Sequence, residues 1–209
     1  MKNLFVLALA TLLSINVFAQ KKEDVFNADV PVTWLGLDFS QLKFIGDATQ
    51  WQDAGEITNS QMRDKYFPSW NSLFVTEKDR YKVADAIRRT EVKYAIDVTE
   101  KANNSLKGNF FESDANKFQL LDEQKVASLV KKYDFKGNSG VGMMFFVEGM
   151  SKGRETASMW VTFVDMKSKT VLFTQKVEAK AGGFGFRNYW ANTFRTALKE
   201  VKSDWKNWN

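Results

Sequence analysis

Three aspartates are placed where carboxylate chemistry could begin. Asp38, Asp97 and Asp165 each lie in or at the end of a stretch that alternates like a strand. If those strands are neighbours, their carboxylates could converge to hold a hard cation or to work as an acid–base pair. No DxDxDG spacing accompanies them, and aspartates at strand ends more often cap turns or face solvent. A second candidate is Gly182-Gly183-Phe184-Gly185-Phe186-Arg187, directly before a helical pattern. Glycines allow backbone amides to approach an anion at the positive end of a helix, and Arg187 adds a cation. The stretch lacks the Lys-Ser/Thr pair of a Walker motif and is not GxGxxG. The same glycines also suit a tight crossing from sheet to helix. Trp51 and Trp208 fall outside periodic segments and could form a stacking surface for sugar rings, whereas Trp190 and Trp205 fit a buried stripe. The candidate ligand-binding residues are therefore Gly182, Gly183, Gly185, Arg187, Trp51 and Trp208. No catalytic residue, metal ligand or cofactor is assigned.

Two absences narrow the chemistry. The chain has no histidine, which removes Ser–His and Cys–His nucleophile pairs and histidine acid–base catalysis. It has no cysteine, which removes disulfides, Cys/His zinc sites and the lipidated cysteine of a lipoprotein. Carboxylate pairs, lysine nucleophiles and oxygen-ligated cations remain.

The elements that must position these residues follow a leader. Met1-Lys2-Asn3 is a short positive start, residues 4–18 are an apolar run, and Val17-Phe18-Ala19 has the small residues of a cleavage site before Gln20. This is the pattern of a secretory signal peptide over residues 1–19, with a run short for a spanning helix. An uncleaved anchor is the alternative. The formal charge of +5 falls to about +4 without Lys2. That is mildly basic, suited to anionic lipid or polysaccharide and below the dense basic stripe of a nucleic-acid binder. With 209 residues, 44% hydrophobic content and eighteen Phe, the chain can bury a sizeable core without disulfides.

Residues 20–31 read as a flexible lead-in, and 32–209 as one globular domain. Residues 32–40 alternate, with Thr33, Leu35, Leu37 and Phe39 on one face and Trp34, Gly36, Asp38 and Ser40 on the other, which predicts a strand. The alternation extends through Leu42 and Phe44, and 47–55 is a loop. Met62, Tyr66, Phe67, Trp70, Leu73 and Phe74 recur at helical spacing behind Thr58 or Asn59 as cap, with Pro68 making the helix kink or restart. Thr76-Glu77-Lys78-Asp79 resembles a capping box for a second short helix carrying Tyr81, Val83, Ala84 and Ile87. Residues 91–99 alternate as a strand, with 101–116 as a loop. Asp122 caps a helix carrying Val126, Leu129, Val130 and Tyr133. Three strands come next, the last two joined by a hairpin at 165–170. Finally Trp190, Phe194, Ala197, Leu198, Val201 and Trp205 form a helical stripe.

Three stretches carry a resemblance: the glycine-containing apolar strand at 141–148; Trp160-Val161-Thr162-Phe163-Val164-Asp165 turning back through Lys169-Thr170-Val171-Leu172; and Gly182 to Trp190. In this order, behind a leader, the chain resembles a family of envelope α/β domains. That family includes the curli-secretion lipoprotein and the N-terminal domain of the Tol-system propeller protein. The resemblance covers most of residues 32–205 and implies a scaffold or assembly role and no enzyme activity. The chain departs from the family in having no lipobox cysteine, so outer-membrane anchoring does not carry over.

The expected fold class is α/β (or α+β). A single mixed sheet of about five strands is packed by two to three helices, with a C-terminal three-stranded run followed by an amphipathic helix. The expected function is an exported, non-enzymatic binding or assembly module of the cell envelope, periplasmic or secreted. It would act through an envelope protein partner or as a homo-oligomer, without nucleic acid. A secreted carbohydrate- or anion-binding protein is the alternative, and a carboxylate-dependent hydrolase is a further one.

Overall fold

The strand β5 (Val141–Ser151) is apolar on both faces, and all eleven of its residues are buried. Such a strand needs neighbours on both edges and cover on both faces. In the computed structural model, which describes residues 19–46, 55 and 57–209, it has all four. Along one edge β1 (Val32–Asp38) and then β2 (Lys43–Ile45) pair parallel to it, end to end. Two-residue strands extend that side: β3 (Lys93–Tyr94) beside β1 and β4 (Phe111–Glu112) beside β2, both parallel. On the other edge β6 (Thr156–Asp165) runs antiparallel, and β7 (Thr170–Lys180) returns beside it. The hairpin turn is held by Asp165, whose Oδ1 accepts from the amides of Lys167 and Ser168. The fold is thus a mixed α/β sheet with the expected C-terminal strand run and long terminal helix. The two shortest strands take the count past five.

Helices cover both faces. On one lie α1 (Lys22–Phe26), α3 (Phe67–Thr76), the short α4 (Val83–Ala86) and α7 (Phe186–Trp208), around Trp34, Phe39, Phe145, Phe163, Trp190 and Phe194. On the other lie α5 (Asp97–Asn104) and α6 (Glu123–Lys132), around Leu35, Met144, Phe146, Val126 and Val130. Asp122 caps α6 as expected, its carboxylate accepting from the Lys125 amide at 2.8 Å. The α7 stripe is buried from Trp190 to Trp205. Before α3, Thr58 and Gln61 form a reciprocal capping box on α2 (Asn59–Gln61). A π-helical turn, Met62–Tyr66, then joins α2 to α3. Pro68 is the second residue of α3. Pro68 thus falls where the π-helical turn gives way to α3, at a position whose missing donor is least costly.

Two expectations change. Residues 91–99 form only the two-residue β3, and the chain turns into α5 at Asp97. Helical spacing puts Thr99 and Asn103 on one side, where both reach the backbone of β1. The first four residues of the predicted 101–116 loop are therefore helix. Second, the alternation of β1 breaks at Gly36, where a bulge shifts the register against β5 and φ is +103°. Trp34, Leu37 and Phe39 consequently share one core while Leu35 joins the other.

Most of the leader, Trp51 and most of the 47–55 loop lie outside the described residues. Among the described residues no helix is long and apolar enough to cross a membrane.

A β-carbon on Gly36 would collide with Thr99 Oγ1 and sit 2.5 Å from Asn71 Oδ1, in a backbone conformation that favours glycine. Gly36→Ala is expected to cost about 2–4 kcal/mol, read as a lower urea midpoint with an unchanged slope. A loss below about 1 kcal/mol would contradict this packing.

Candidate functional site

The first three turns of α7 carry two arginines, Arg187 and Arg195. The buried face of the helix is apolar, so Arg187, Asn188, Asn192 and Arg195 face the other way. Across from them, the end of α3 and the turn after it supply Leu73, Glu77, Arg80 and Tyr81. Gly182 and Gly183 close one end, and the cleft holds about 420 Å³. Three arginines and one glutamate line it.

The charges are not balanced inside the cleft. Arg80 donates to Glu77 Oε2 at 2.8 Å. Arg187 donates only to neutral oxygens, Ser69 Oγ at 3.3 Å and Asn188 Oδ1 at 3.2 Å. Arg195 donates to Asn192 Oδ1 at 2.6 Å. Among the described residues neither has a carboxylate partner. Tyr81 stands between them, its hydroxyl donating to the Ala191 carbonyl at 3.3 Å. Burial and the Glu77 charge push its phenol up, against the opposing pull of Arg80, Arg187 and Arg195. Two forked donors without acids are what a carboxylate, phosphate or sulfate group would complete.

The glycine loop contributes differently from the sequence expectation. The Gly182 amide donates to the Tyr189 carbonyl at 3.2 Å, and the Tyr189 amide donates to the Gly185 carbonyl at 3.0 Å. These bonds tie the loop to the first turn of the helix. Gly183 (φ +109°) and Gly185 (φ +76°) make the crossing, and Gly185 occupies the N-cap. The cleft's positive charge therefore comes from side chains. Of the predicted ligand-binding residues, the structure brings together Gly182, Gly183 and Arg187. Trp208 lies at the far end of α7, about 30 Å away along the helix, and is half-buried against Phe173 and Trp205. Trp51 lies outside the described residues. Arg80, Arg195 and Tyr81 were missed. The signal available for Arg195 was its place eight residues after Arg187, on the same helical face.

A second cleft, about 410 Å³, opens between α5 and α6 at the C-terminal end of β1. Val98, Ala102, Leu106 and Leu129 form its apolar walls, with Asp38 and Tyr133 in its lining. The Asp38 carboxylate is buried; it accepts from the Tyr133 hydroxyl at 2.6 Å and from the Ser40 amide at 2.8 Å. Burial pushes Asp38 up, against the hydrogen bonds from Ser40 and Tyr133. A further cleft of about 610 Å³ lies at the opposite end of β5, where Gln20 donates its amide to Asp165 Oδ2 at 3.2 Å. Ala19 and Gln20 form part of its wall.

The three aspartates do not share a cleft. Asp38 pairs with Phe146 on β5 and Asp165 with Val141, five steps apart or roughly 17 Å along the strands. Asp97 opens α5 and binds Lys136 Nζ at 2.7 Å. Burial opposes the charge on Asp165, but hydrogen bonds led by Ser168, Lys167 and Gln20 outweigh it and hold that carboxyl below its ordinary value. Register thus sets Asp38 and Asp165 too far apart for a carboxylate pair. Among the described residues no three acids gather as a metal site.

Because Asp38 titrates above its ordinary 3.8, the folded state binds that proton more tightly than the unfolded state. Its contribution to stability is therefore greatest at low pH and is lost as pH rises from about 3.8 through the raised value. Asp38→Asn should remove that fall and gain stability relative to wild type between pH 4 and pH 7 in urea titrations. Tyr133→Phe should cost about 1–3 kcal/mol at pH 7 by stranding a buried carboxylate, and should steepen the fall. Parallel profiles for all three proteins would contradict this assignment.

No protein-family model matches the chain, and no curated protein matches it either.

Proposed function

We propose that the protein is an exported, non-enzymatic binding module that takes the anionic group of its ligand between Arg187 and Arg195, with Arg80 at the rim. The observation that carries this reading is the pair of guanidiniums on one helical face, in a polar cleft, with neutral partners only. Removing an arginine from such a site would cost a charge-assisted hydrogen bond, about 1.5–3 kcal/mol each, so the pair would dominate affinity. Binding without turnover fits the lining. The one carboxylate, Glu77, is already held by Arg80, and the Tyr81 hydroxyl donates to a backbone carbonyl. Export is supported by the leader pattern, and the element order that resembles envelope assembly domains points to the same compartment.

A protein partner is the second reading, and β7 favours it. This strand is eleven residues long, and among the described residues nothing pairs with its outer edge. A free edge of that length can accept a strand from a partner or a second copy, although Lys176 and Lys180 guard it. Light scattering across a concentration series separates a homo-oligomer from a monomer.

Phosphate or sulfate titrated at constant ionic strength is expected to stabilise the protein and to release heat of binding. Arg187→Ala combined with Arg195→Ala should weaken that binding at least tenfold. Equal stabilisation by chloride, or unchanged binding by the double variant, would rule out the arginine cleft. N-terminal sequencing of protein recovered outside the cytoplasm should begin at Gln20, and a mature chain beginning at Met1 would argue against export through this leader.

A further inference from the structure

We infer that the arginine cleft rests on an anionic phospholipid surface, with a headgroup phosphate between Arg187 and Arg195 and the Phe184 ring entering the acyl boundary. This rests on the anion-binding reading and names the source of the anion. The chain has eighteen Phe, and the aromatic side chains that pack do so in tight clusters. Phe184 is different: it is 86% exposed, whereas the other exposed large apolar residues among the described residues, Leu120 and Val75, reach 41% and 38%.

Its position gives that exposure a direction. Phe184 sits between Gly183 and Gly185, and Gly182 and Gly183 line the arginine cleft while Phe184 does not. Phe184 is therefore an exposed ring on the loop that borders the cleft, outside the cleft wall. A platform for a sugar bound in the cleft would form one of its walls. The loop is also pinned on both sides. The Ala181 amide donates to the Glu155 carbonyl at 2.8 Å, and the Gly182 and Gly185 bonds to Tyr189 hold the other side. An aromatic group held out in advance loses little freedom when it is buried.

The charge around it matches an anionic leaflet. A neighbouring cleft shares Arg80 and Arg195, continues along α7 with Lys199 and Lys202, and takes Lys82 from the start of α4. Across the two clefts six cations face three carboxylates, Glu77, Asp79 and Asp85. Basic side chains draw a protein to an anionic surface, and a single inserted ring adds a short-range anchor that neither lattice of charges nor free phosphate provides. Binding of this kind is reversible and falls as salt rises.

The mature chain should be tested by flotation with vesicles of phosphatidylglycerol in phosphatidylcholine, against pure phosphatidylcholine, alongside a titration with inorganic phosphate and one with dextran sulfate. Wild type is expected to float with the anionic vesicles and lose that association in high salt. Phe184→Ser, an exposed substitution whose folding circular dichroism verifies, should weaken vesicle association at least tenfold and leave the phosphate titration unchanged. Arg187→Ala with Arg195→Ala should lose both. Vesicle association that needs both Phe184 and the arginines, without measurable binding of free phosphate, would keep the lipid surface and discard the free anion. Wild type that ignores phosphatidylglycerol, a Phe184→Ser protein that floats like wild type, or binding to dextran sulfate alone would each overturn the inference.

Discussion

The backbone of β1 beyond its two-residue neighbour is the constraint on which the rest depends. One edge of β1 is paired with β5, but the other meets β3 only at Thr33 and Trp34. Past that point the Leu35 carbonyl, both backbone groups of Leu37 and the Phe39 amide would be buried without partners, each at about 1–3 kcal/mol. Side chains replace the missing strand. Asn71 of α3 accepts from the Leu37 amide at 2.7 Å and donates to its carbonyl at 3.1 Å. Asn103 of α5 donates to the same carbonyl at 2.8 Å and accepts from the Phe39 amide at 2.9 Å. Thr99 donates to the Leu35 carbonyl at 2.7 Å. All three are buried, and Gly36 has no β-carbon because Thr99 and Asn71 occupy that space.

This arrangement reaches both clefts. Asn71 comes from the helix layer on one face and Thr99 and Asn103 from the layer on the other, so the edge of β1 clamps the two layers in one register. The end of α3 then delivers Leu73 and Glu77 to the arginine cleft. The helix α5 delivers Val98 and Ala102 to the groove beside Asp38. Stacked rings reinforce the α3 side: Phe39 lies on Phe67 with centroids 4.2 Å apart, and Trp34 on Phe74 at 4.6 Å. The Trp70 indole, which donates to the Arg187 carbonyl at 2.9 Å, joins α3 to the first turn of α7. The arginines are therefore carried on elements whose positions are set by buried contacts.

What could be read from the residues follows from what hydrophobic periodicity measures. The α7 stripe and the doubly apolar β5 and β6 were legible because burial there is carried by apolar side chains at a regular period. The helix α5 was not, since Val92, Tyr94, Ile96 and Val98 satisfy a period of two and its decisive residues, Thr99 and Asn103, are polar and buried. No apolar pattern marks a threonine that pairs with a strand edge. The bulge at Gly36 was hidden for a related reason, because a strand buried on both faces looks the same before and after a register shift. The arginine cleft was half legible. Arg187 stood out beside the glycines, whereas Arg80 comes from a turn more than a hundred residues earlier and joins it only through the packing of α3 on α7.

The remaining argument concerns where local rules are broken. Positive side chains are favoured at the C-terminal end of a helix and acids at the start. The helix α7 has no acid in its first turn, and Arg187 is its second residue. A guanidinium there works against the helix dipole, and its hydrogen-bond partners are neutral. Packing does not require the charge, since the buried face of the helix is supplied by Phe186, Tyr189 and Trp190. Two other helix ends follow the rules, with a capping box before α3 and an aspartate cap with terminal lysines on α6. Local inconsistency in an otherwise consistent fold concentrates at functional positions. An anion seated at Arg187 and Arg195 would remove the inconsistency, since it would screen the two guanidiniums from each other and complement the positive end of the helix. On that physical ground the arginine cleft ranks above the Asp38 groove, whose buried carboxylate already has its donors.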